Sequence, residues 1–111
     1  MQKPPRIWIS NAAPKAGDIV RVRAQIEHRM ESGLRMDAKG QPIARNIVTR
    51  FEARLDNDLL FTWSPETAIA QNPFLEFTFM ARQSGELKML WRDDQGLTLT
   101  ANKALQISST P

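Results

Sequence analysis

The amino-acid sequence predicts an all-β fold, an immunoglobulin-like β-sandwich of about seven strands. Apolar residues recur at every second position in several short stretches, as they do in strands with one buried face. Turn-forming residues separate these stretches, and no segment keeps the period of a helix. The length of 111 residues is typical of one domain, so residues 1–111 are expected to fold as a single unit.

The alternation assigns the strands in order. The first is the short apolar segment Ile7–Ile9, and the last continues through Leu105 and Ile107 after a bend near Asn102. Between them, the side chains expected to share an inward face in each strand are Val20, Val22, Ala24 and Ile26; Ile47, Thr49, Phe51, Ala53 and Leu55; Leu59, Phe61 and Trp63; Leu75, Phe77, Phe79 and Ala81; Leu87, Met89 and Trp91; and Leu97 and Leu99.

The connections are predicted from turn residues. Asp56–Asp58 has the short polar side chains that favour a tight turn. Ser64–Glu66 starts like a helix, with a capping hydroxyl and then proline, and this single helical turn should end near Asn72 because Pro73 follows. Asp93–Gly96 is expected to form the four-residue loop of a C-terminal hairpin.

One segment breaks the strand pattern. The residues between His28 and Ala44 form a connection longer than most in compact domains, where such loops are usually functional or disordered. Its apolar residues Met30, Leu34, Met36 and Ile43 are unlike a disordered linker. They are therefore expected to pack, either on the domain itself or on a partner.

Composition excludes several classes of function. The chain has no cysteine, hence no disulfide, thiolate nucleophile or zinc–thiolate site. The net charge is only +3 and the basic residues are scattered, so neither nucleic-acid binding nor a membrane partner is expected. The first nine residues lack the apolar region of a secretory signal, which by itself favours the cytoplasm unless a partner carries the chain out.

Candidate catalytic and metal groups are few. His28 and Glu31 are three apart with Asp37 nearby, but a metal site needs three or four converging ligands, and this chain has one histidine. The adjacent Asp93 and Asp94 lie where a hairpin turn favours aspartate, so we interpret them as turn residues. No enzyme activity and no cofactor are predicted. The tryptophans Trp8, Trp63 and Trp91 are interpreted as core or interface residues.

A resemblance to a known family rests on the long loop and on later turns. The chain resembles the SoxZ family, small subunits of the periplasmic SoxYZ sulfur carrier in thiosulfate oxidation, although Arg29 and Ala44 stand where that family usually has proline. The residues that carry the resemblance are His28, Met30-Glu31-Ser32-Gly33, Arg35, Asp37, Gly40, Ile43, Arg45, Phe51, Pro65-Glu66, Ala68-Ile69, Asn72-Pro73 and Trp91-Arg92-Asp93-Asp94-Gln95-Gly96.

The resemblance implies an immunoglobulin-like, non-catalytic subunit in a heterodimer. Its partner would be a SoxY-like subunit that carries sulfur intermediates on a cysteine near its C-terminus. SoxAX, SoxB and SoxCD-like enzymes would act on that complex through transient contacts. The resemblance also implies periplasmic localisation by co-export with the signal-bearing partner. A stand-alone β-sandwich binding or adhesion module, for example one that binds carbohydrate, is the alternative.

The long loop is predicted to contribute to the partner interface. Methionine suits surfaces that adapt to partners, and arginine can form two hydrogen bonds to a carboxylate or a sulfonate-like group. In the alternative, Met30, Leu34 and Met36 plug the end of the sandwich. The predicted interface residues are His28, Met30, Glu31, Ser32, Leu34, Arg35, Met36 and Arg45.

Overall fold

The chain forms seven strands, which pair in two antiparallel sheets. The computed structural model describes residues 2–67 and 69–108. The strands are β1 (Arg6–Ile9), β2 (Ile19–Gln25), β3 (Val48–Leu55), β4 (Asp58–Trp63), β5 (Phe74–Met80), β6 (Gly85–Asp93) and β7 (Thr98–Leu105). One sheet has the order β1-β2-β5 and the other β4-β3-β6-β7. The prediction of an all-β, immunoglobulin-like sandwich of about seven strands is confirmed.

Alternate side chains of both sheets meet in one apolar core. Trp91 and Phe51 are fully buried on neighbouring strands, with ring centroids 4.9 Å apart. Phe51 also approaches Phe77 of the other sheet, at 6.0 Å between centroids, and Phe77 stacks on Phe61 at 5.2 Å. These aromatic contacts join the two sheets. The core interpretation is thus confirmed for Trp91, whereas Trp8 is half-exposed.

Two bulges, one in β3 and one in β4, change the predicted faces. The register with β6 shifts between Val48 and Arg50, and Ile47 and Val48 are both buried although they are adjacent. The register with β4 shifts between Ala53 and Arg54, and Leu59 is exposed rather than inward. A β-bulge adds one residue to one strand and so reverses which side chains face inward beyond it.

Other predicted details of the connections are wrong. The segment after Ser64 forms a turn, with the Ile69 N–H donating to the Glu66 carbonyl at 3.1 Å, and the described residues there contain no helix; Ala68 lies outside them. Leu97 belongs to the β6–β7 loop and is exposed. The pairing of β7 with β6 runs through Asn102 without a bend.

Strand β7 ends at Leu105, so Ile107 lies outside it. No helix in the described ranges is long and apolar enough to cross a membrane.

Candidate functional site: the long loop and its clamp

The connection between β2 and β3, residues 26–47, is called the long loop here. Its two arms pair with each other: Glu31 and Asn46 exchange backbone hydrogen bonds of 2.9 and 2.8 Å, and the Ile43 N–H donates to the Arg35 carbonyl at 2.9 Å. Met36 bridges to Pro42 further out. The segment is thus a narrow hairpin-like excursion from the sandwich, although it contains no regular strand.

A polar turn closes the far end of the long loop. One carboxylate oxygen of Asp37 accepts hydrogen bonds from the backbone N–H groups of Lys39 and Gln41, at 2.9 and 3.0 Å. Gly40 has φ +76°, a conformation that costs glycine nothing and other residues more. Asp37 is therefore a turn residue within the loop, and the exposed segment between residues 33 and 43 is called the loop tip below.

The base of the long loop is held by the β6–β7 hairpin. One carboxylate oxygen of Asp93, which is buried, accepts from the backbone N–H groups of Gln95 and Leu97, both at 2.9 Å, and the other contacts His28 Nε2 at 3.0 Å. Asp93 thus orders its own turn, as predicted for it, and binds the loop as well. A buried carboxylate with three such contacts is well satisfied.

Asp94 binds the returning arm of the loop. Its side chain accepts from Arg45 at 2.7 Å and from the Ile47 backbone N–H at 3.1 Å, and its own N–H donates to the Ile47 carbonyl at 3.0 Å. These contacts, with the Arg45 guanidinium foremost, hold the pKa of Asp94 below its usual value. Asp93 and Asp94 together are called the aspartate clamp; the sequence predicted their turn but not this role.

His28 is a structural residue in this arrangement. Its Nδ1 accepts the Met30 backbone N–H at 3.0 Å, so the neutral ring carries its proton on Nε2 and donates it to Asp93. Asn72 fixes the backbone of His28 from the other side, with hydrogen bonds of 3.0 and 2.7 Å. Asn72 has φ +55°, which asparagine tolerates better than most residues, and this preference is a sequence signal for its role beside the Asn72-Pro73 motif.

The predicted interface residues fall into two groups. His28 and Met30 are buried, and Met30 is 6% exposed with its sulfur 3.3 Å from the Val48 backbone nitrogen. Leu34 and Met36 are 90% and 63% exposed at the loop tip. The plug alternative therefore describes Met30 in the isolated chain, whereas Leu34 and Met36 lie free on the surface.

The remaining predicted interface residues are polar and partly or fully exposed. Arg35 makes two hydrogen bonds to Glu31, which lower the pKa of that carboxyl, and Ser32 accepts the Leu34 N–H at 3.2 Å. Arg45 is paired with Asp94. Both arginines thus have partners within the chain, so a bound carboxylate or sulfonate would have to share or replace those partners.

A cleft of about 590 Å³ lies beside the loop base, lined by His28, Glu31, Asn46, Asp93 and others. The side-chain oxygen of Asn46 is buried there without a hydrogen-bond partner in the described residues. Nowhere in the described ranges do three His, Asp or Glu side chains converge as metal ligands. The geometry is that of a braced loop beside a polar cleft.

Sequence reasoning missed one further surface, the outer face of β1, β2 and β5. Trp8 and Phe74 lie on it, about half exposed. The alternation indicates that both side chains point outward, because their neighbours along the strand point inward. These neighbours are Ile7 and Ile9 for Trp8, and Leu75 for Phe74. The sequence predicted a core or interface position for Trp8 and did not single out Phe74.

The fold is shared with several solved structures of low sequence identity. Superoxide reductase (neelaredoxin) from Ignicoccus hospitalis has 17% identity and a TM-score of 0.70, over 96% of this chain and 82% of that one. The sulfur carrier protein SoxY from Chlorobium limicola f thiosulfatophilum has 8% identity and a TM-score of 0.63, over 96% and 80%. CHIR-AB1 has 14% identity and a TM-score of 0.61, over 96% and 99%. These likenesses are of fold alone.

Family membership comes from the sequence. No curated protein matches the chain. The family model described as "Sulphur oxidation protein SoxZ" matches residues 9–104, nearly the whole chain, including the long loop and the aspartate clamp. The chain therefore belongs to the SoxZ family of sulfur-oxidation proteins.

Proposed function

We propose that this chain is the non-catalytic subunit of a heterodimeric sulfur carrier in thiosulfate or sulfur oxidation. Membership of the SoxZ family over residues 9–104 is the observation that carries the proposal. The partner is a SoxY-like subunit that holds sulfur intermediates on a C-terminal cysteine. These 111 residues contain no cysteine, so a thiol-bound intermediate must be carried by another chain.

The loop tip is proposed as part of the surface that meets the partner or the enzymes acting on it. Leu34 and Met36 offer exposed apolar side chains on a backbone fixed by cross-arm hydrogen bonds, which limits the entropy lost on binding. The aspartate clamp keeps the tip in place relative to the sandwich. Transient contacts with SoxAX, SoxB and SoxCD-like enzymes follow from the same role.

The proposed location is the periplasm, reached by export together with the signal-bearing partner. Expression with and without that partner, followed by cell fractionation, tests this. We expect periplasmic recovery only in the presence of the partner. Periplasmic recovery of the chain expressed alone would contradict co-export.

Titration calorimetry with the SoxY-like protein of the same organism tests the function itself. We expect a 1:1 complex, which should persist when the partner's cysteine is replaced by serine because the cysteine carries cargo and not the interface. The chain alone should not turn over thiosulfate, sulfite or sulfide. Saturable turnover surviving repurification, or no complex with a folded partner, would favour an enzyme or a stand-alone binding module.

A further inference from the structure

The outer face of the three-stranded sheet carries large apolar side chains. Because alternate residues of a strand point to opposite faces, this face is formed by the residues of β1, β2 and β5 that do not enter the core. Four of them are Trp8, Ile19, Phe74 and Met80, exposed to 47%, 61%, 56% and 47%. Together with Arg6, Arg21, Arg23 and Glu76, these residues are called the β1-β2-β5 face below.

Trp8 and Phe74 border a small pocket on this face. In the strand register, Trp8 lies opposite Arg23, and Phe74 lies opposite Gln25. The cavity has a volume of about 220 Å³ and is lined by both aromatic residues and by Arg6. The Arg23 guanidinium lies 4.6 Å from the centroid of the Trp8 ring, a cation–π contact that fixes one wall.

The charge of the face is unbalanced. Glu76 is its one carboxylate, 2.7 Å from Arg23 and 4.0 Å from Arg21, and its pKa is lowered chiefly by the hydrogen bond from Arg23. Within residues 2–67 and 69–108, no carboxylate pairs with the Arg6 guanidinium. Three arginines against one glutamate leave the face with a charge of +2.

The outer face of the four-stranded sheet differs in its apolar content and not in its net charge, because it carries Arg50, Arg54, Lys88 and Arg92 against Glu52 and Glu86. Its Glu52 pairs with Arg50 at 3.1 Å and with Arg54 at 2.6 Å. Leu59 is the large apolar residue exposed on its strands within the described ranges. The contrast indicates that the cluster of large exposed apolar side chains is particular to the β1-β2-β5 face, whereas a positive charge is common to both sheet faces.

The pocket is continuous with the long loop. Arg6 and Gln25 also line a neighbouring cavity of about 370 Å³, next to Pro4 and Pro5. Glu27 and Asn72 line both that cavity and the cleft beside the loop base. A single partner can therefore cover the β1-β2-β5 face and the base of the long loop together.

We propose that the β1-β2-β5 face docks onto an acidic surface of the carrier subunit, with an apolar side chain of that partner between Trp8 and Phe74 and a carboxylate at Arg6. Charge complementarity selects an acidic partner. Tryptophan and arginine beside a pocket are the residue types that most often dominate interface energy. This inference rests on the proposed function, because it takes the SoxY-like subunit as the occupant.

Paired substitutions on the two sheet faces test the charge of the occupant. Arg6→Glu on the β1-β2-β5 face and Lys88→Glu on the other face make the same charge change at exposed positions. We expect Arg6→Glu to weaken binding of the SoxY-like subunit about tenfold at low ionic strength, and less at high salt. Lys88→Glu should leave the dissociation constant within about twofold. Both variants should keep the melting temperature of the unaltered chain.

Removal of apolar side chains tests the pocket. We expect Phe74→Ala and Trp8→Ala each to weaken binding about 30-fold, as for central interface residues. Leu59→Ala, an equally exposed apolar residue on the four-stranded sheet, is the matched control and should have no effect. Two independent pocket variants guard against a local change caused by either one.

The outcomes separate this inference from the proposed function. If the unaltered chain does not bind the SoxY-like subunit, both are overturned. If it binds and the Arg6, Trp8 and Phe74 variants bind equally well, only the docking surface is overturned. If sedimentation equilibrium shows that Phe74→Ala instead abolishes self-association of the chain, the occupant is a second copy, and the inference is likewise overturned.

Discussion

The two ends of the long loop use the same kind of side chain in opposite ways. Met30, at the base, is 6% exposed, whereas Met36, six residues later at the tip, is 63% exposed. Met30 lies under the arm fixed by His28 and the aspartate clamp, and its sulfur reaches the start of β3. Met36 lies beyond the clamp, where its backbone pairs with Pro42 of the opposite arm. Position relative to the clamp, and not hydrophobicity, decides which methionine joins the core.

Backbone conformation supports the same distinction. Met30 has φ +54°, which is uncommon for a residue other than glycine and costs about 1–3 kcal/mol. The His28 ring accepts a hydrogen bond from the Met30 N–H at 3.0 Å, and the Met30 side chain is buried in the core. These contacts offset that cost. At the tip, the positive φ values belong to Gly33 and Gly40, where no such compensation is needed.

The largest effect is expected from a charge at the loop base. Met30→Asp would bury a carboxylate without a partner, so we expect the free energy of unfolding to fall by about 4 kcal/mol. Met36→Asp, the same substitution at the tip, should change it by less than about 0.5 kcal/mol. Urea denaturation measures both. Equal destabilisation by the two variants would mean that the tip packs on the domain as the base does.

Loss of the aspartate clamp should have the second-largest effect on stability. Asp93→Ala removes the acceptor of two partly buried backbone N–H groups and leaves the buried His28 ring without its partner. We expect a loss of about 3 kcal/mol in unfolding free energy. Asp37→Ala removes two similar bonds at the exposed tip turn and should cost about 1 kcal/mol or less. Thermal melts that order the two variants the other way would contradict a clamp at the base.

The tip should matter in binding. If Leu34 and Met36 contact the carrier subunit, Leu34→Asp and Met36→Asp should each weaken the complex by about 1–3 kcal/mol while the melting temperature stays unchanged. Titration calorimetry with the SoxY-like protein measures this, with Lys39→Ala in the same turn as a control. Unchanged affinity in both aspartate variants would remove the loop tip from the interface.

The smallest effect concerns pH. The pKa of Asp94 is lowered by Arg45 and the Ile47 N–H in the folded chain. Its stabilising contribution is therefore complete above the ordinary aspartate pKa of about 3.9 and is lost as the pH falls below that value through the lowered pKa of the folded state. We expect Asp94→Asn to flatten the stability curve below about pH 4, and a curve parallel to that of the unaltered chain would refute this.

Strand positions were predictable because the signal is local. In β2 and β5 the alternating residues Val20, Val22, Phe77 and Phe79 are buried as predicted. The alternation failed near the start of β3 and near the start of β4, where each strand carries a bulge, and Leu59 of β4 became exposed as a result. A bulge depends on how two strands pair, so the sequence of one strand does not reveal it.

The functional surfaces were predictable only in part. The length and composition of the long loop marked it as unusual, and its resemblance to the SoxZ family held over residues 9–104. Which of its residues are exposed did not follow, because Met30 and Met36 look alike in sequence. The outward position of Trp8 and Phe74 was present in the alternation, but the sequence left Trp8 between core and interface and did not single out Phe74.

The sequence by itself determined the all-β class, the strand order along the chain and the family, since these depend on periodicity, turn residues and motif spacing. Tertiary structure alone decided how Asp93 and Asp94 reach back to His28 and Arg45, which lie 65 and 49 residues away. Those contacts form only when the β6–β7 hairpin and the long loop meet at one end of the sandwich. Pairing over such separations is set by the packing of the two sheets, and no local pattern in the sequence records it.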